Sequence, residues 1–263
     1  MYEEMQLSSP YKNLRLFNGI MGLLHLIQAV IMLAVSNSFT LPIYTNFLKP
    51  NPPSRIALPF WEKIYDLRIG PVVASFLLLS ALAHFILVLP KVYEWYVNNL
   101  KNKINFARWY EYALSSSVMI VVIALLCGMY DLGSLILIFA LNATMNLFGL
   151  MMELHNQTTK KTNWTAYVFG CFAGIVPWIV LAMYFFTAIG RAGETTEVPD
   201  FVYGIFYSLF IFFNIFALNM YLQYKQVGPW KNYTFGEKVY ILLSLIAKSL
   251  LAWQVFGGTL RPN

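Results

Sequence analysis

Seven apolar stretches divide the chain, at about residues 15–36, 69–89, 104–128, 134–154, 164–188, 201–222 and 238–258. Each approaches the roughly 20 residues needed to cross a bilayer core. Backbone N–H and C=O groups in lipid must be bonded within their own segment, so these stretches are predicted as helices. The alternating short segments of a membrane barrel are not seen. The pattern predicts an all-α bundle of seven transmembrane helices, one domain spanning residues 1–263. No internal repeat with matched broken helices in two halves is evident. Pro177, inside the fifth stretch, removes a ladder donor and should kink that helix. Asn13-Leu14-Arg15 and Gly236-Glu237 read as the starts of the first and seventh helices.

The longest polar interruption runs from about Asn37 to Leu67. It mixes Pro42, Pro50, Pro52, Pro53 and Pro59 with Phe39, Tyr44, Phe47, Phe60 and Trp61. The alternation in Phe39-Thr40-Leu41-Pro42-Ile43-Tyr44 allows a short β-hairpin, since proline is tolerated at sheet edges. So much apolar surface in a loop suggests a cap over the bundle or a contact between subunits. Tyr93, Trp95, Tyr96, Trp109, Trp164, Tyr224 and Trp230 lie near the ends of spans, as an interfacial aromatic belt would.

Composition strengthens the membrane assignment. The chain is 59% hydrophobic and 11% charged, against roughly 45–50% and about 25% for soluble domains. The net charge of +6 sums over two faces. Lys12, Arg15, Lys91, Lys101, Lys103, Arg108, Lys160, Lys161, Lys225, Lys231 and Lys238 fall on the N-terminal side. Lys49, Arg55, Lys63, Arg68, Arg191 and Arg261 fall on the other. Eleven against six places the N-terminus in the cytoplasm by the positive-inside rule, and seven crossings carry the C-terminus outside. The basic face fits topology and contact with anionic lipid better than nucleic-acid binding. Met1-Tyr2-Glu3-Glu4 lacks a basic n-region, so the first span is expected to act as an uncleaved signal. The acceptor sequences at Asn156, Asn163 and Asn232 fall on cytoplasmic loops and should stay unglycosylated. Cys127 and Cys171 read as two small buried hydrophobes, with no disulfide framework and no metal signature.

Polar residues inside the spans carry the chemistry. Lys248 sits mid-way along the last apolar stretch, where an ammonium costs several kcal/mol or more. It needs an anionic partner, a water path, or loss of its charge, and a buried lysine amine also suits imine formation with an aldehyde. Glu111 is the natural partner. If the third helix starts near Lys101 and the seventh near Glu237, the two residues lie at about 15 and 16 Å along their axes. The blander reading is a plain ion pair fixing two helices. His25 and His84 fall in the same inner half, Ser115 follows Glu111 by one turn, and Ser244 precedes Lys248 by one turn. Asn142 and Asn146 sit one turn apart in the fourth span. The two histidines could store a proton, form a static hydrogen-bonded network, or join Glu111 in holding a transition metal, which the spacing does not demand. Arg108 either screens Glu111 or reaches to lipid headgroups. Glu194, Glu197 and Asp200 cluster on the outer side, as a proton path or as a solvated acidic loop. The aromatic residues of the fifth and sixth spans, Trp178 and Phe213 among them, serve as packing or as walls of an apolar slot.

Leu14-Arg15-Leu16-Phe17-Asn18-Gly19, with Gly22-Leu23-Leu24-His25, opens a set of motifs. Arg108-Trp109-Tyr110-Glu111-Tyr112 with Ser115-Ser116-Ser117 and Asn142-Ala143-Thr144-Met145 continue it. The run from Phe235-Gly236-Glu237-Lys238 through Ser244-Leu245-Ile246-Ala247-Lys248-Ser249 to Trp253-Gln254-Val255-Phe256-Gly257-Gly258 completes it. Together they resemble the heliorhodopsins over nearly the whole chain. The resemblance implies a rhodopsin-like fold with inverted orientation, in agreement with the charge asymmetry. It implies all-trans retinal held on Lys248 as a protonated Schiff base, with Glu111 as counterion. It carries His25, His84, Ser115 and Ser244 to the polar network, and Asn142, Trp178 and Phe213 to the chromophore pocket. It further implies a homodimer and a slow photocycle without active pumping, in a cell or viral-host membrane.

The leading expectation is a light sensor acting on a cytoplasmic signalling partner. The alternative is a light-gated passive proton channel, as in viral members of the family the chain resembles. A membrane enzyme using Lys248 or Glu111 is unsupported, because no metal motif, nucleophile elbow or phosphate loop is present.

Overall fold

A computed structural model describes residues 9–51, 56–191 and 198–262. Among these residues there are eight α-helices and one β-hairpin. The helices are α1 (Ser9–Val35), α2 (Ile69–Val88), α3 (Pro90–Lys101), α4 (Phe106–Leu126), α5 (Leu132–His155), α6 (Thr165–Gly190), α7 (Asp200–Lys225) and α8 (Tyr233–Val255). All but α3 are long and apolar enough to cross a membrane. The last turn of the chain continues α8 as a π-helical segment, Phe256–Leu260. α1 packs on α2 and α8, α4 on α2 and α5, α5 on α6, and α7 on α8. Between α6 and α7 the joint is made by rings. Trp178 meets Phe206, Phe210 and Phe213 edge-on, and Phe185 stacks on Phe206 at 4.4 Å. α6 runs unbroken through Pro177, which is buried.

Three helix starts differ from expectation. α1 is already helical at Ser9, ahead of Asn13. α8 begins at Tyr233, because the Asn232 side chain accepts the Thr234 N–H and caps the helix one turn ahead of Gly236-Glu237. Lys101 ends α3 rather than starting the next span, and α4 begins at Phe106 with Asn105 accepting the Arg108 N–H.

α3 is a short amphipathic helix that the span pattern does not predict. Pro90 occupies its first turn, where no N–H is required. Tyr93, Tyr96, Val97 and Leu100 repeat at helical spacing and pack on Leu14, Met21, Leu87 and Ile241. Tyr93 and Tyr96 are therefore core residues, not members of an interfacial belt, and Trp109 is likewise buried. The Tyr93 hydroxyl donates to the Tyr11 carbonyl, and burial pushes its pKa up to about 12. Trp95, on the opposite face of α3, is exposed. Of the two cysteines only Cys127 is buried, while Cys171 lies on the outer surface of α6. A small side chain facing lipid needs no polar partner, so the alternation of apolar residues could not separate the two cases.

The hairpin is longer than the short one expected. β1 (Thr40–Asn51) pairs antiparallel with β2 (Ile56–Arg68), Thr40 opposite Arg68, with an irregularity between Ile43 and Tyr44. Both strands of a two-stranded ribbon are edges, so Pro42, Pro50 and Pro59 are accommodated. Its base is tied to the bundle. Tyr44 N–H donates to the Tyr130 carbonyl at 2.9 Å, and Ile43, Phe39, Leu41 and Leu67 join the main core. Asn37 bonds the end of α8 twice, N–H to the Leu260 carbonyl at 3.0 Å and Nδ2 to the Thr259 carbonyl at 2.9 Å. Farther out, Phe47, Leu48, Leu58, Trp61 and Tyr65 are exposed. Lys63 bonds Asp66 at 2.8 Å, which holds its ammonium above the usual lysine range.

Candidate functional site

The polar centre is assembled from α1, α2, α4 and α8. Lys248 Nζ lies 3.2 Å from Glu111 Oε1 and donates to Ser244 Oγ at 2.6 Å. Ser244 is one turn before Lys248, so helical spacing alone aims both side chains the same way. Ser80, on α2, donates to the same Glu111 oxygen at 2.6 Å. The ammonium also stands 5.2 Å from the centre of the Tyr112 ring. His84 Nδ1 is 2.8 Å from Asn18 Oδ1, and the His84 and His25 rings stack with centroids 5.7 Å apart. His25 is fully buried, and neither of its ring nitrogens nor the Ser115 hydroxyl has a hydrogen-bond partner among the described residues. Buried polar atoms are nearly always bonded, to protein or to water. This end of the centre is therefore suited to ordered water.

Arg108 takes neither of the two expected places. It is buried and ion-paired with Glu153 of α5 and Glu237 of α8. The guanidinium lies between the Trp109 and Tyr240 rings, at 4.5 and 4.0 Å from their centres. Neutral donors meet the remaining carboxylate lone pairs. Asn105 N–H and Trp109 Nε1 both donate to Glu153 Oε2 at 2.8 Å, and Asn105 Nδ2 donates to Glu237 Oε2 at 2.6 Å. A buried ion group is tolerable only with such extra bonds. The sequence reading missed Glu153, Asn105, Asn18 and Ser80, and saw Glu237 only as a helix start. An acid inside an apolar stretch was the signal at Glu153, but its place at the end of that stretch suggested solvent.

Gly149 faces this cluster from α5, and a Cβ there would run into the Trp109 ring. Gly149→Ala should displace the indole from Glu153 and destabilise the protein by about 1–3 kcal/mol. Thermal unfolding in detergent checks this, and an unchanged midpoint would contradict the tight fit.

Cavities flank the Lys248–Glu111 pair. A small one is lined by Asn18, His84, Asn105, Arg108, Glu111 and Ser244, and so lies between the pair and the arginine cluster. Another begins at Lys248 and is walled by Tyr112, Met119, Met145, Phe213 and Phe216. It shares Tyr112, Met145, Asn146, Phe213 and Phe216 with a larger neighbouring space that reaches Trp178, Gly170 and Gly174. Phe213 thus lines both apolar spaces, and Trp178 lines the second. Asn142 lines neither cavity. Its amide donates to Ser116 Oγ at 2.8 Å and Ser117 Oγ at 3.0 Å, while Asn146 takes the place on the wall. Glu194 and Glu197 lie outside the described residues. Asp200 opens α7, where a negative charge suits the helix N-terminus. No group of three or more potential metal ligands occurs among the described residues.

A primary amine at the inner end of a long, aromatic-walled apolar space fits an elongated apolar aldehyde. Ser116, Asn146, Asn214 and Ser244 are the few polar side chains among the lining residues. A family model described as heliorhodopsin matches residues 14–260 of the chain. No curated protein matches it.

Proposed function

The chain belongs to the heliorhodopsin family of retinal-binding, light-sensing membrane proteins, and from that premise we propose how its own residues serve a photoreceptor. It is an integral, multi-pass membrane protein of photoreceptor type rather than of an enzyme class. The proposed chromophore is all-trans retinal on Lys248 as a protonated Schiff base, with Glu111 as counterion. The observation that carries this reading is the 3.2 Å approach of Lys248 Nζ to Glu111 Oε1 at the mouth of the apolar region. Tyr112, Met145, Phe213, Phe216 and Trp178 would hold the polyene. Bound retinal would supply visible absorption and a light-driven change of shape.

The protein's part is electrostatic. Glu111 would neutralise the cation within the buried centre, and Ser80 donates to the carboxylate oxygen that faces Lys248. Ser244 orients the nitrogen. His84, bonded to Asn18, and His25, stacked on it, are the nearest bases that could receive a proton leaving this pair. Arg108, Glu153 and Glu237 close the route toward the lysine-rich face, which the charge asymmetry assigns to the cytoplasm. A change of charge at Glu111 would be felt at Arg108, which lines the same cavity, and through it at Glu153 and Glu237. The proposed output is a slow, non-pumping signal to a cytoplasmic partner, from a homodimer that buries the exposed apolar residues of the hairpin. Adding all-trans retinal to the purified chain tests the reading, and no visible pigment in the unaltered protein would end it.

The cavity lined by Glu111, Arg108 and Asn105 also favours a second reading, a passive proton conductance opened by light. Whole-cell recording under illumination separates the two. A current that reverses with the proton gradient supports conduction, and none at any voltage supports the sensor.

A further inference from the structure

On the lysine-rich face lies a solvent-open concavity, apart from the polar centre. The chain just before α4, the loop after α5, the end of α7 and the start of α8 form its walls. Its lining includes Lys103 and Lys160 together with Gln157, Gln226 and Thr162, and it includes no acidic residue. Neither lysine makes an ion pair among the described residues. Two cations that share one concavity repel each other unless an anion lies between them.

The backbone adds an independent observation. Lys103 and Gln226 are the two non-glycine residues with left-handed backbone among the described residues, at φ 58° and 53°. Both line this cavity. That conformation is unfavourable for a side chain with a Cβ. Here it closes two helices. After α3, Lys103 N–H donates to the Leu100 carbonyl at 2.9 Å and Ile104 N–H to the Asn99 carbonyl at 3.1 Å. After α7, Gln226 and Val227 N–H bond the Gln223 and Leu222 carbonyls at 3.2 and 3.1 Å, so both positions are fixed before any ligand arrives. The loop after α5 is braced from within. Asn156 Oδ1 accepts the Asn163 N–H at 2.7 Å and the Thr159 hydroxyl at 3.0 Å, so this wall is preformed.

We propose that this cavity binds a phosphate-type oxyanion, inorganic phosphate or a phosphate monoester, through Lys103, Lys160 and Gln226. A tetrahedral oxyanion offers enough acceptors for two ammonium groups and the amides at once. Occupancy is felt at the arginine cluster. Tyr233 lines the cavity, and its hydroxyl lies 3.4 Å from Glu153 Oε1. Lys103 stands two residues before Asn105, whose N–H bonds the same carboxylate. Any coupling between this anion and the light-sensitive centre is then reciprocal. Binding itself does not rest on the chromophore.

The test is run in the dark. Thermal unfolding of the detergent-solubilised full chain is followed against inorganic phosphate at constant ionic strength. A saturable rise is expected, with the apparent dissociation constant weakened roughly tenfold or more in Lys103→Gly and in Lys160→Gln. Lys103→Gly removes the ammonium while relieving the backbone, so loss of folding does not confound it. No saturable rise in the unaltered chain, or an equal rise in both variants, overturns the proposal. Neutral-lipid nanodiscs with and without a phosphorylated inositol lipid identify the source. Phosphate binding that the lipid blocks points to a headgroup, and binding that the lipid leaves unchanged points to a soluble anion.

Discussion

Lys248→Arg protein mixed with all-trans retinal stays colourless in the visible, while the unaltered chain forms a pigment under the same conditions. The expected loss is complete. A guanidinium keeps its charge under all ordinary conditions and does not form an imine. It can still face Glu111, so the buried pair and the fold survive. That makes Lys248→Arg a sharper test than Lys248→Ala, which strands Glu111 against the apolar region and costs about 3–5 kcal/mol if the carboxylate stays charged. In Lys248→Ala the space of the deleted side chain lies beside Ser244 and Tyr112. A small primary amine supplied together with retinal should restore colour there. Colour in either variant without added amine would place the attachment elsewhere.

Arg108→Met is expected to lower stability by about 3–5 kcal/mol, because two buried carboxylates lose their common cation. Asn105, Trp109 and Tyr233 remain as donors, but neutral donors do not cancel two negative charges. Arg108→Met combined with Glu153→Gln and Glu237→Gln should recover much of the loss, since the triple change removes the charges together. Thermal unfolding of the single and combined variants checks both statements. Equal damage in the two would mean that shape at Arg108, rather than its charge, holds α4, α5 and α8 together.

The spans were legible because apolar length is a local property, and seven long stretches can be read without knowing what they touch. The Lys248–Glu111 pair was legible for a related reason. Each is a charge stranded in lipid-like sequence, and a stranded charge demands its opposite at the same depth. The arithmetic placed them together from starting points that the structure then moved, so the agreement owes more to the demand for a partner than to the counting. The arginine cluster resisted because its partners lie 45 and 129 positions away and each sits near a helix end. There a charge reads equally well as solvated. α3 was legible in principle, since Tyr93, Tyr96, Val97 and Leu100 follow helical spacing behind a proline. Tyrosines near a membrane edge drew the weaker interpretation of an interfacial belt. Asn142 and Asn146 share one face of α5, and only the packing of Ser116 between them decides which one borders the open space.

The hairpin is grasped at two points. Tyr44 hangs from the turn that follows α4, and Asn37 hangs from the last turn of α8. Those are the two helices whose side chains form the Lys248–Glu111 contact. The ribbon is thus a differential gauge. Motion of both rods together carries it along unchanged, while sliding of one past the other must twist it. A sub-ångström slip at mid-membrane is levered outward along roughly ten residues of strand, at about 3.3 Å each. The outer face of the molecule therefore has a mechanical view of an event that occurs far below it.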